Sequence, residues 1–143
     1  MSKFRPRSLR SEERPKKPEV IGDNVQMDLA INSDFINDEM MDQPLLHRKY
    51  SDLSANQNKA VKAIELKLDR VEAKWHLLYS KEGGKVKEVE SKVRLNEEVQ
   101  KVEEELLQAQ ETADSLKGIV VAFRQRHELL REISTNIRKD LED

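Results

Sequence analysis

There is no cysteine in this chain. Disulfide frameworks and thiolate metal sites are therefore excluded. Aromatic residues are almost as scarce: one Trp, two Tyr and three Phe in 143 residues. So few large rings cannot fill a thick globular core. With only four Gly and four Pro, long stretches carry no helix breaker, and residues 52–81 contain neither. No run approaches the ~18 apolar residues of a membrane-spanning helix. The basic N-terminus is not followed by the apolar stretch of a secretory signal. An excess of one charge sign is missing too: 26 Lys and Arg face 28 Asp and Glu, a net charge of −2.

What the chain has is charge. Charged residues make up 38% and hydrophobic residues 36%, against about 25% and roughly 45–50% in ordinary globular domains. This composition supports helices that share a thin apolar seam. The expected fold is all-α, with long coiled-coil helices.

The clearest seam runs through Val99, Val102, Leu106, Ala109, Ala113, Leu116, Val120, Phe123, His127, Leu130, Ser134, Ile137 and Leu141. Its alternating steps of three and four keep one stripe of a helix facing a partner helix. A second seam comprises Val61, Ile64, Leu68, Val71, Trp75 and Leu78, the expected hairpin core. Between the two lie Gly83 and Gly84. Adjacent glycines cost a continuous helix roughly 2 kcal/mol relative to alanine, and glycine is favoured just past a helix C-terminus. The apolar stripe also loses phase there. We therefore expect one helix over 51–82 and another over 85–142, folded back as an antiparallel hairpin. A hinge in one long rod is the alternative. In the second helix the stripe moves from Asn96 to Val99, an interruption that overwinds a coiled coil.

The N-terminal third reads differently. Residues 1–18 carry Lys3, Arg5, Arg7, Arg10, Arg14, Lys16 and Lys17, punctuated by three prolines and lacking apolar periodicity. Ordering such a segment would cost about 1–2 kcal/mol per residue with nothing to offset it, so a disordered basic tail is expected. Residues 19–46 hold seven acidic residues, no Lys or Arg, and interleaved apolar residues such as Met27, Ile31, Phe35 and Met40. This pattern suits either a segment that folds on a further partner or a solvated linker. The expected layout is a tail over 1–50 and a coiled-coil domain over 51–143.

Lengths then matter. At 1.5 Å per residue, the first helix covers the second only to roughly residue 115. Leu116, Val120, Phe123, Leu130, Ile137 and Leu141 are left over, and are the expected partner-binding residues. Either another chain covers them or the N-terminal segment folds back. The flanks of this seam end basic, with Lys117, Arg124, Arg126, Arg131 and Arg138. A parallel homodimer would set Arg126 against Arg131, so other coiled-coil proteins with acidic flanks, in a hetero-oligomer, are favoured.

No catalytic constellation stands out. Glu72 and His76 sit one turn apart, as an exposed ion pair does; His127 falls in the seam. Gly83-Gly84-Lys85 lacks the spacing of a phosphate loop. Trp75 and Tyr79, also one turn apart, read as core rather than as a cofactor shelf. No enzyme activity, cofactor, metal or small-molecule substrate is expected.

In architecture alone, the chain looks like the small subunits of hetero-oligomeric coiled-coil complexes, such as those of organelle positioning, kinetochores and centrosomes. That likeness implies a non-enzymatic adaptor in the cytoplasm, cytoskeletal or organelle-associated, with the nucleus as an alternative. A second expectation is a charge-driven protein whose tail residues Arg5, Arg7, Arg10, Arg14, Lys16 and Lys17 grip nucleic acid, a microtubule or a membrane surface.

Overall fold

The structure is a computed structural model and describes residues 25–142. The basic tail, including Arg5, Arg7, Arg10, Arg14, Lys16 and Lys17, lies outside the described residues. Among the described residues four α-helices follow in order: α1 (Val25–Leu29), α2 (Ile36–Lys81), α3 (Val86–Leu95) and α4 (Glu97–Glu142). A 3₁₀ turn over Ser33–Phe35 leads into α2, with the Asn32 side chain accepting from the Asp34 N–H at 3.1 Å. Among the described residues there is no strand. The expected all-α class is what forms.

The first correction concerns the start of α2. It begins at Ile36, not at residue 51, and runs through Pro44. A proline inside a helix removes one backbone hydrogen bond and costs about 3 kcal/mol. Packing of the same stretch offsets this. Glu39, Gln43 and Tyr50 are all buried, and Asp38 and Glu39 in the first turn complement the helix dipole.

The turn forms where the two glycines stand. Gly83 has φ +88° and Gly84 φ +130°, conformations that L side chains rarely adopt. The Gly83 N–H closes the end of α2 on the Ser80 carbonyl at 3.2 Å. On the far side, the Glu88 carboxylate accepts from the Lys85 N–H at 3.4 Å.

A second correction lies at Asn96. The expected helix over 85–142 does not overwind there but stops and restarts. Asn96 is extended (φ −64°, ψ 132°). Its side-chain oxygen accepts from the Glu98 and Val99 N–H groups at 2.9 and 3.3 Å, satisfying donors that the start of α4 would otherwise leave open. Its amide nitrogen donates to the Tyr79 hydroxyl at 2.9 Å.

The chain divides into two compact units, residues 25–49 with 119–142, and residues 50–118. In the second unit, Lys67 pairs with Glu105 and Lys74 with Glu98, at 3.1 and 3.2 Å. One heptad forward on α2 matches one heptad backward on α4, so the arms run antiparallel. The Gln57 amide adds a hydrogen bond to the Ala109 carbonyl at 3.0 Å. Val61, Ile64, Leu68, Val71 and Trp75 are half-buried in this hairpin. Leu78, expected with them, is 40% exposed; Tyr79, anchored by Asn96, is the half-buried residue instead.

Candidate functional site

Two sites stand out, one in each unit. In the first unit the centre is polar. Phe123 and Leu130 are buried, but so are Asp28, Glu39, Gln43 and Arg126. Arg126 organises this group. Its Nη2 forms an ion pair with Glu39, and its Nη1 donates to Gln43 Oε1 at 2.6 Å. Its Nε and Nη2 reach the carbonyls of Leu29 and Ala30, at 3.2 and 3.4 Å, and so tie down the end of α1. Gln43 in turn donates to the Phe123 carbonyl at 2.7 Å. Asp28 is held by Lys49 at 3.1 Å. Burial pulls the Arg126 pKa below the ordinary arginine value, and Glu39 opposes that pull. A buried charge needs such partners to be tolerated at all.

This arrangement removes two of the expected partner-binding residues, Phe123 and Leu130, from the surface. Phe123 and Leu130 are covered by the chain itself, at 0% and 1% exposure. Leu116, Val120 and Ile137 are half-buried, and Leu141 is 81% exposed. The described part of the acidic segment 19–46 packs on this seam within the chain, Glu39 pairing with Arg126 and Gln43 donating to the Phe123 carbonyl. The seam also shifts phase: Arg126 is inside and His127 outside. Arg126 escaped the sequence reading because it stands beside the apolar stripe. The signal that could have found it is complementarity, a seam end with basic flanks and an upstream segment with acids and no bases.

A cavity of about 430 Å³ lies beside this network, lined by Gln43, Pro44, His47, Arg124, His127 and Glu128. His47 Nε2 is buried there without a hydrogen-bond partner. Among the described residues no group of three or more His, Asp or Glu side chains is placed to hold a metal. No helix among them is long and apolar enough to cross a membrane.

The second site is at the turn end of the hairpin. Trp75 and Tyr79, one turn apart on α2, bring their ring centroids to 5.5 Å at a tilt of 32°. The Lys74 ammonium lies 5.1 Å from the Trp75 ring centre, and the Lys92 ammonium 5.8 Å from that of Tyr79. These are cation–π distances. Around them the stretch 74–96 carries Lys74, Lys81, Lys85, Lys87, Lys92 and Arg94 against Glu82, Glu88 and Glu90. All nine side chains are exposed. Two aromatic faces set among ammonium groups can stack planar groups and attract phosphates in one place. Spacing alone makes Trp75 a core residue. Half of it is, but its indole N–H donates to Glu98 Oε2 at 2.8 Å on an exposed surface.

The hydrogen bond from Trp75, then that from Lys74, holds the Glu98 carboxyl below the usual glutamate range. A depressed carboxylate contributes its contact above the unfolded-state pKa and loses it as pH falls through the folded value. The chain's single Trp therefore makes a clean probe. Trp75 emission, followed from pH 7 downward, is expected to shift with a midpoint below the ordinary glutamate range. Glu98→Gln is expected to abolish that transition; a transition that persists in this variant would refute the assignment.

The chain matches no described protein family, and no curated protein matches it. Among solved structures, the fold is similar to that of the bacteriophage T4 recombination mediator protein UvsY, with a TM-score of 0.74 and 18% sequence identity. The match covers 82% of this chain and 94% of that one. This likeness is one of fold. It overturns the expectation of an organelle-positioning, kinetochore or centrosome adaptor, because the architecture that suggested such complexes is found on a recombination protein.

Proposed function

We propose that the protein binds nucleic acid, single strands in preference to duplex, and acts without catalysis as a helical mediator in recombination. The observation that carries this reading is the Lys74–Trp75–Tyr79–Lys92 cluster at the turn end of the hairpin. Unstacked bases are available to aromatic faces only when a strand is single, and neighbouring lysines then neutralise its phosphates. The structural likeness to a recombination mediator supports the same reading. The basic segment 1–18 adds seven cations against two carboxylates, Glu12 and Glu13, and extends the electrostatic contact. Such a protein works wherever the nucleic acid is, in cytoplasm or nucleus.

The test is titration of the full chain against a labelled single-stranded oligonucleotide and its duplex over a range of salt. Single-strand binding that weakens with salt is expected. Trp75→Ala is expected to cost about 1–3 kcal/mol of binding, the worth of one stacked base. Lys74→Ala is expected to reduce the salt slope by about one. Failure to bind at low salt and tens of micromolar protein would reject the reading.

A further inference from the structure

We infer that Glu98 is a built-in stand-in for a nucleic-acid phosphate, and that it restrains the hairpin site until a strand displaces it. This rests on the nucleic-acid reading above. One carboxylate oxygen, Glu98 Oε2, accepts from both the Lys74 ammonium at 3.2 Å and the Trp75 indole N–H at 2.8 Å. A charged oxygen taking an ammonium and a neutral N–H is the contact that a phosphate oxygen would make with the same two donors. The Lys74 ammonium also lies 5.1 Å from the Trp75 ring centre. The cation that a strand's phosphate needs, and the N–H edge of the ring beside it, are thus both held by one acidic residue.

Position makes this contact a restraint that can be displaced. The Lys74 and Glu98 side chains are 54% and 44% exposed, and exposed ion pairs are weak. Glu98 itself is placed from the other arm. It lies in the first turn of α4, and its N–H is held by the Asn96 cap at 2.9 Å. The carboxylate therefore returns to the same donors when a strand leaves. Lys67 and Glu105 repeat the ion pair one heptad away, at 3.1 Å. At that position α2 carries no aromatic ring beside the lysine, since Leu68 stands where Trp75 does. Only the Glu98 pair combines both donors.

The test compares Glu98→Ala with Glu97→Ala in the full chain. Both remove one carboxylate from the first turn of α4, but only Glu98 touches Lys74 and Trp75. Affinity for a labelled oligothymidylate is measured at fixed salt. Glu98→Ala is expected to tighten binding about three- to fivefold, the range of an exposed ion pair, and Glu97→Ala by less than about twofold. In a Lys74→Ala, Trp75→Phe background, which keeps a ring but removes both donors, the gain from Glu98→Ala is expected to vanish. Equal effects of the Glu98→Ala and Glu97→Ala variants, or a gain that survives without both donors, would overturn the restraint while wild-type binding keeps the nucleic-acid reading intact. If neither wild type nor Glu98→Ala binds, the nucleic-acid reading falls, and the restraint with it.

Discussion

Arg126→Met is expected to lower the unfolding free energy by about 3–5 kcal/mol, the cost of removing one partner from a buried ion pair. Glu39, 1% exposed, would be left as a buried carboxylate, and Gln43 would lose the donor at its oxygen. The Leu29 and Ala30 carbonyls would lose their tie as well. Total stability of a domain is about 5–15 kcal/mol, so this is a large share. Chemical denaturation followed by helical circular dichroism measures it. The double variant Glu39→Met with Arg126→Met is expected to recover much of the loss, because it removes both charges and fills their volume with apolar groups. It does not restore the α1 carbonyl contacts. Amide protons around Val25–Leu29 are therefore expected to exchange faster than in the native protein. A loss below about 1 kcal/mol for the single variant would show that water, and not Glu39, satisfies Arg126.

The second large effect is at Phe123. On the seam alone, Phe123→Asp would abolish assembly and leave the hairpin near Trp75 folded. The structure places the loss within the chain's own first unit instead. Phe123 is completely buried within its own chain, so its truncation to alanine is expected to cost about 3–5 kcal/mol. An aspartate there would add an unpaired buried charge and unfold the surrounding unit, residues 25–49 with 119–142. Hydrogen exchange at several protein concentrations separates the alternatives. Loss of protection around Phe123 that does not depend on concentration is expected. If protection stays native and only the assembled mass changes, the burial of Phe123 does not hold the unit together.

Much of this was legible before any coordinates. The steps of three and four through Val61–Trp75 and Val99–Ala113 announce helices that share a seam, since period and side-chain direction are local properties. The turn was legible because Gly83 and Gly84 favour one backbone region wherever they occur. The aromatic pair was legible as a spacing, Trp75 and Tyr79 one turn apart. Its setting was not, because Lys92 and Glu98 arrive from α3 and α4.

What sequence alone determined is therefore the kind of element and the place where the chain reverses. Tertiary structure decided three further things. It carried α2 back to Ile36 through Pro44, because packing of Glu39, Gln43 and Tyr50 outweighs one missing hydrogen bond. It restarted the last helix at Asn96, because a capping side chain and the Tyr79 hydroxyl meet there. It also drew Arg126 inside and left His127 out. The physical reason is common to all three. Local propensities are fractions of a kcal/mol to a few, while buried contacts between residues distant in sequence are as large, and no local pattern records which of them will meet.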